Sequence, residues 1–180
     1  MELPEFDFLF RERFERLKTR EVFVGNVGIG GNNPIRLQSM TSVDTMNTSL
    51  VVQQIQRMVN AGSELVRLTA QGVREAEHLA VIKAKLNEDG YNVPLIADIH
   101  YSPAAAEAAA RVVEKVRINP GNYTDRNTGK SIYSDTEYDG AVDRIREKMA
   151  PLISICKDHG TAMRIGSNHG SLSERIVSRY

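Results

Sequence analysis

PLIADIHYSPAAAEAAARVVEKVRINP (94–120) decides the fold. A short apolar run, PLIADIH at 94–100, reads as a strand. Ser102 and Pro103 then supply an N-cap and a first-turn residue for an alanine-rich helix running to about Val113. A second apolar run, KVRINP at 115–120, follows almost at once. Strand, helix, strand with so short a return is the unit in which a crossover helix joins two parallel strands.

The same order recurs on both sides. Upstream, a strand at 35–41 (IRLQSMT) precedes a helix from about Thr48 to Ala61, with Leu50, Val51, Ile55, Met58 and Val59 on one face and Gly62 at its end. A strand at 65–70 then precedes a helix at about 73–88, with Val73, Ala76, Leu79, Ile82 and Leu86 inward and Gly90 beyond. Downstream, the polar stretch 121–138 reads as a long loop. Val142, Ile145, Met149, Leu152, Ile153 and Cys156 mark a helix to about His159, bent at Pro151. AMRIGS (162–167) is the fifth strand, and Ser171 with Glu174 forms a capping box that opens a fifth helix.

Five alternating units predict an α/β fold with a parallel sheet of the (β/α)8 TIM-barrel type, present as about its first five units. A closed barrel needs eight units and about 250 residues. The 180 residues stop inside a helix with no stop signal. The expectation is therefore a barrel fragment, with an open doubly wound sheet as the alternative. Ahead of it, 1–33 is set apart as a lead-in and β-hairpin, and 34–180 as the partial barrel with its loop insertion at about 121–138. Phe6, Phe8, Leu9, Phe10, Phe14 and Leu17 suit an irregular or short helical lead-in. EVFVGNVGIGGNNPIRLQSM (21–40) places alternating apolar runs around glycine and asparagine, as a hairpin leading into a strand does. GNVGIGG does not fit a dinucleotide-binding G-x-G-x-x-G between strand and helix, so it is read as tight turns.

Composition closes off several classes. The chain carries 23 basic and 23 acidic residues, so no net field draws nucleic acid. No uncharged apolar run approaches the roughly 18 residues of a membrane span, and the N-terminus lacks the order of a secretory signal. A cytoplasmic location follows as the expectation. The single cysteine, Cys156, rules out an internal disulfide or a multi-thiolate metal site within the chain and reads as a small buried hydrophobe.

Three strands carry an arginine at their middle: LVRLT (65–69), KVRIN (115–119) and AMRIG (162–166). In parallel α/β sheets, ligands sit beyond the carboxyl ends of the strands. Arg67, Arg117 and Arg164 in comparable register would meet at that mouth. A guanidinium in a low-dielectric mouth needs an anion, and its planar fork matches phosphate oxygens. The only strand-end acids are Asp98 and Asp44, which leaves positive charge for a phosphorylated small molecule. Neutral polar groups stand nearby: Gln38, Ser39, Asn119, Asn122 and Asn168, with His100 and His169. Asp98 and His100 would also serve a divalent metal, but no third ligand is singled out. Arg36, one step earlier in its run, is left out of the ring. His78 and His159 fall on helix surfaces or ends.

VFVGNVGIGGNNPIRLQSMT, PLIADIHYSPAAA, VRINPGN and MRIGSNHGSLSERI together resemble the N-terminal barrel of the 4-hydroxy-3-methylbut-2-enyl diphosphate synthase family of the non-mevalonate isoprenoid pathway. The match runs from about residue 19 to the end, and NHGSL resembles the longer, three-domain form. The resemblance implies a reductive ring opening of 2-C-methyl-D-erythritol 2,4-cyclodiphosphate through a [4Fe-4S] cluster fed by ferredoxin or flavodoxin. It implies that Arg67, Arg117, Arg164 and Asn168 grip the cyclic diphosphate, with Asp98, His100, Asn119 and His169 as further residues of the mouth. The cluster ligands of that family lie in a C-terminal domain that is absent here, so the expectation is a substrate-binding portion unable to turn over, with no metal and no catalytic residue of its own. Self-association into a homo-oligomer would cover its open edges. Two alternatives stand beside it: a pterin-binding barrel like dihydropteroate synthase, and an inert fragment.

Overall fold

The computed structural model describes residues 17–121 and 134–167. β1 (Val22–Val24) and β2 (Val27–Ile29) form an antiparallel hairpin. Gly25, at φ +58°, takes the first of its two turn positions, where a primed hairpin turn calls for glycine. β3 (Gln38–Met40), β4 (Leu65–Thr69), β5 (Leu95–Ile99), β6 (Lys115–Ile118) and β7 (Ala162–Ile165) form one parallel sheet in that spatial order. α1 (Thr48–Asn60), α2 (Val73–Glu88), α3 (Pro103–Ala110) and α4 (Asp135–His159) are the crossovers.

Strand order equals chain order throughout, which is the winding of a barrel arc. A doubly wound sheet reverses direction at a switch point. The open doubly wound alternative is thereby excluded for the described strands.

Side chains alternate between the two faces of a strand, and here the faces have different partners. Val66, Leu68, Leu95, Ala97, Ile99, Val116 and Ile118 are buried against Val51, Val52, Ile55, Leu79, Ile82, Ala106, Ala109, Leu152 and Cys156 of the helices. Each large aliphatic side chain taken fully from water contributes about 1.5–3 kcal/mol, so this layer is the main source of stability. On the other face, Leu65 and Ile96 pack with Val24, and Val27, Ile29 and Ala162 join them. The hairpin thus plugs the amino-terminal end of the inner face. Arg36 fixes it there, donating to Gly28 O at 2.9 Å and pairing with Glu64 at 2.7 Å.

Several boundaries differ from expectation. The first barrel strand covers only Gln38–Met40, because Leu37 N–H donates to the Glu64 carboxylate at 3.0 Å instead of to a ladder. α3 ends at Ala110, and β7 ends at Ile165. The expected loop does not reach residue 138, and Pro120 and Gly121 at its start are helical: α4 begins at Asp135, capped by Ser134, whose hydroxyl accepts from Glu137 N–H while Glu137 reaches back to Ser134 N–H at 2.9 Å. That S-x-x-E box was present in the text and overlooked. α4 runs on through Pro151 and stops at Gly160, which adopts the left-handed conformation. The lead-in at 6–16 and the capping box at Ser171 lie outside the described residues.

Candidate functional site

Register decides which residues share a height above the hairpin plug. Met40, Arg67, Ile96, Lys115 and Ala162 form one row across the sheet. Two residues further along, toward the carboxyl ends, Thr69, Asp98, Arg117 and Arg164 form the next. Both rows face inward, away from the helices, since the residues between them are the ones buried in the helix-side core. The inner face therefore changes from aliphatic at its base to ionic at its mouth.

Asp98 organises the ionic part. Its side chain is fully buried, and it accepts from Arg67 Nη2 on one oxygen and from Arg117 Nη1 at 3.2 Å on the other. His100 Nε2 stands 3.2 Å from the same carboxylate, and the ring meets Tyr101 edge to face. Arg117 also donates to Gly166 O at 3.2 Å. Gly166 is needed for space: a Cβ there would run into the Arg117 guanidinium. Asn119, buried after β6, accepts from Gly121 N–H at 3.2 Å through its side-chain oxygen.

Positive charge exceeds negative at this mouth. Among the described residues, Arg67, Lys115, Arg117 and Arg164 face a single carboxylate, that of Asp98. Asp44 does not answer them, being exposed and used to accept from Met46 N–H at 2.9 Å. Arg67 Nε is buried with no hydrogen-bond partner among the described residues. Lys115 is half-buried, and its pKa is lowered, first by burial and then by the charges of Arg164 and Arg67. Like charges held together in a partly desolvated cleft are costly unless an anion joins them.

The expected ring is thus brought together with one correction of height. Arg117 and Arg164 share a row, but Arg67 starts a row lower and reaches up to Asp98 with its long side chain. Nor does each arginine have its own acid: Arg67 and Arg117 share one, and Arg164 is exposed. Gln38 and Ser39 do not join the mouth, since they pair with Leu65 and Val66 near the base. Arg36, left out of the ring, belongs to the hairpin anchor. His78, on α2, lies with its Nε2 2.8 Å from Thr48 Oγ1 of α1. Asn122, Asn168 and His169 lie outside the described residues. Sequence reasoning missed Lys115, which the period-two rule places on the same face as Arg117.

Among the described residues no group of three or more His, Cys, Asp or Glu side chains could hold a metal ion, and no helix is long and apolar enough to cross a membrane. Cys156 is buried in the helix-side core, its thiol pKa pushed up by burial. An iron–sulfur cluster needs several cysteine thiolates, so the residues of this chain do not fit one.

Residues 19–180 match the model of the GcpE TIM-barrel domain. The chain is 55% identical over 169 residues to a protein of Parabacteroides distasonis named 4-hydroxy-3-methylbut-2-en-1-yl diphosphate synthase (flavodoxin), covering 93% of this chain and 28% of that protein. Proteins of the same name from Bacteroides thetaiotaomicron and Leptospira interrogans are 53% and 49% identical, over 92% and 93% of this chain and 27% and 25% of their own lengths. The chain therefore spans only about a quarter of the length of these relatives.

Proposed function

This chain belongs to the GcpE TIM-barrel domain family, and from that premise we propose that it is the substrate-gripping part of a reductive synthase that opens 2-C-methyl-D-erythritol 2,4-cyclodiphosphate to 4-hydroxy-3-methylbut-2-enyl diphosphate. The observation that carries the reading is the surplus of cations around Asp98. A cyclic diphosphate brings at least two negative charges and a crown of acceptor oxygens. Guanidinium forks meet such oxygens two at a time. Of the two barrel readings, the family match favours the diphosphate synthase over the pterin-binding one.

Asp98 positions rather than binds. By holding Arg67 on one oxygen and Arg117 on the other, it fixes both guanidinium planes before the ligand arrives, so little side-chain entropy remains to be lost. Opening the ring turns a bridging ester oxygen into a terminal phosphate oxygen. The added charge falls where Arg117 and Arg164 stand, and arginines aimed at developing charge lower the barrier to bond cleavage. Asn119 and His100, with Asn168 and His169 further along the chain, would orient the hydroxyl groups and remaining phosphate oxygens.

A [4Fe-4S] cluster would supply the two electrons, from ligands outside this chain. Flavodoxin is the donor that the relatives' name suggests, with ferredoxin the other candidate. A cytoplasmic location agrees with that supply. The sheet edges at β3 and β7, where Met40 and Ile165 are exposed, would pair with further strands of the whole barrel or with a second copy of the chain.

The test is calorimetric titration of the full-length protein with the cyclic diphosphate. Arg117→Met should weaken binding by about 1.5–3 kcal/mol, one charge-assisted contact. Wild-type affinity in that variant would remove Arg117 from the site. Complete absence of binding heat in the unaltered protein would instead favour an inert scaffold.

A further inference from the structure

Lys115 opens β6 and faces inward, in the row of Arg67, Ile96 and Ala162. No hydrogen bond or ion pair holds its amine among the described residues. Two described acids that neighbour it in register or in sequence are occupied. Asp98, one row above, is shared by Arg67, Arg117 and His100. Glu114, next in the chain, pairs with Lys83 at 2.6 Å and accepts from Leu95 N–H at 2.8 Å, on the side away from the mouth. The charges of Arg67 on β4 and Arg164 on β7 act on Lys115, and Asp98 on β5 and Arg117 on β6 stand one row above it.

Such a placement works against the fold. An aliphatic side chain would extend the packing of Leu65 and Ile96 and remove a repulsion, as its neighbours Ile96 and Ala162 do in the same row. A cation kept where burial and two like charges oppose it calls for an anion that arrives from outside.

We propose that Lys115 is a further substrate-positioning residue, whose ammonium reaches up from the row beneath Arg117 and Arg164 to the phosphate oxygens that face the sheet. The inference rests on the cyclodiphosphate reading above and adds to it a contact from below. The arginines grip with planar forks from the rim; the lysine supplies a compact charge with three rotatable donors, suited to an oxygen whose direction changes as the ring opens. Its register partner on β7, Ala162, is small and places no charge or bulk opposite it.

The experiment uses the full-length protein with the cyclic diphosphate, comparing Lys115→Met, Lys115→Gln and Arg117→Met. Both Lys115 variants should bind about tenfold or more weakly, the loss of one charge-assisted contact. Their ligand-free thermal midpoints should equal or exceed that of the unaltered protein, because a repulsive charge has gone. A merely structural lysine would give the opposite sign. Between about pH 7 and about pH 10, affinity of the unaltered protein should fall as the amine loses its proton, ahead of an ordinary lysine, and that slope should flatten in Lys115→Met. Affinity within twofold of the unaltered protein in both Lys115 variants overturns the proposal, as does failure of both to fold. If Arg117→Met weakens binding while the Lys115 variants do not, the cyclodiphosphate reading stands and Lys115 alone is misassigned. If none of the three weakens binding, that reading falls as well.

Discussion

The two faces of the five-stranded sheet are built from alternate residues of the same strands, yet they are solvated by different things. On the helix face, Val66, Leu68, Ala97, Ile99, Val116 and Ile118 find hydrocarbon in every direction and are almost wholly buried. On the inner face, Arg67, Asp98, Lys115, Arg117 and Arg164 find one another. The helix face satisfies itself among the described residues: these side chains have apolar partners on the helices. The inner face is finished only at its base, where Val24 meets Leu65 and Ile96. Toward the mouth, among the described residues, it carries more cations than one carboxylate can balance. A face that satisfies itself is a core; one that ends in uncompensated charge is a place for a ligand.

Removing Asp98 gives the largest test of that contrast. Asp98→Ala leaves Arg67 and Arg117 partly buried without their counter-ion, and stability should fall by about 3–5 kcal/mol. Thermal unfolding of the full-length protein measures the loss. Because an anionic ligand can stand in for the missing carboxylate, added cyclic diphosphate should recover a larger part of the midpoint in this variant than it adds to the unaltered protein. Equal shifts in the two proteins would mean that the arginines do not meet the ligand.

Leu68→Ala, one residue along the same strand as Arg67, probes the opposite face. It should cost about 3 kcal/mol through lost transfer energy and the cavity left behind. Ligand should not compensate for it beyond its ordinary stabilisation, and affinity for the cyclic diphosphate should stay within about twofold, below the roughly 1.4 kcal/mol that a tenfold change represents. A large affinity change from Leu68→Ala would show that the two faces are mechanically coupled and would weaken the contrast.

Most of this architecture was legible because it depends on periodicity. Strand–helix alternation fixed the parallel sheet, and a middle-of-strand arginine in LVRLT, KVRIN and AMRIG pointed to an ionic inner face. Height was harder to read. Position within an apolar run does not give register, since β4 begins lower relative to β5 than β6 does, and Arg67 proved to be a row beneath Arg117. The Gln38 and Ser39 assignment failed for the same reason, compounded by a strand shortened when Glu64 took the Leu37 amide. Lys115 was passed over because a lysine at a strand's start reads as a solvated end, although counting back two from Arg117 places it inward. The start of α4 was missed because the polar composition of 121–138 outweighed the capping box at Ser134 and Glu137.

The smallest expected effect comes from a position with no side chain. Gly166 follows β7, and its backbone approaches β6 closely enough that Gly166 N–H donates to Ile118 O at 2.8 Å while its carbonyl receives Arg117. The Arg117 guanidinium lies over its Cα, so the cost of Gly166→Ala is the displacement of that guanidinium rather than a backbone clash. A flexible side chain would normally swing away at little expense. Arg117 is only 10% exposed and tied to both Asp98 and the Gly166 carbonyl, so moving it sacrifices a charge-assisted bond, about 1.5 kcal/mol in stability. A double-mutant cycle decides the matter: with Arg117→Met already in place, Gly166→Ala should cost much less, because the Met side chain can yield without losing a hydrogen bond. Strict additivity would mean that the alanine disturbs the strand itself. The inner face would then be shaped at this point by its backbone and not by the arginine that the glycine accommodates.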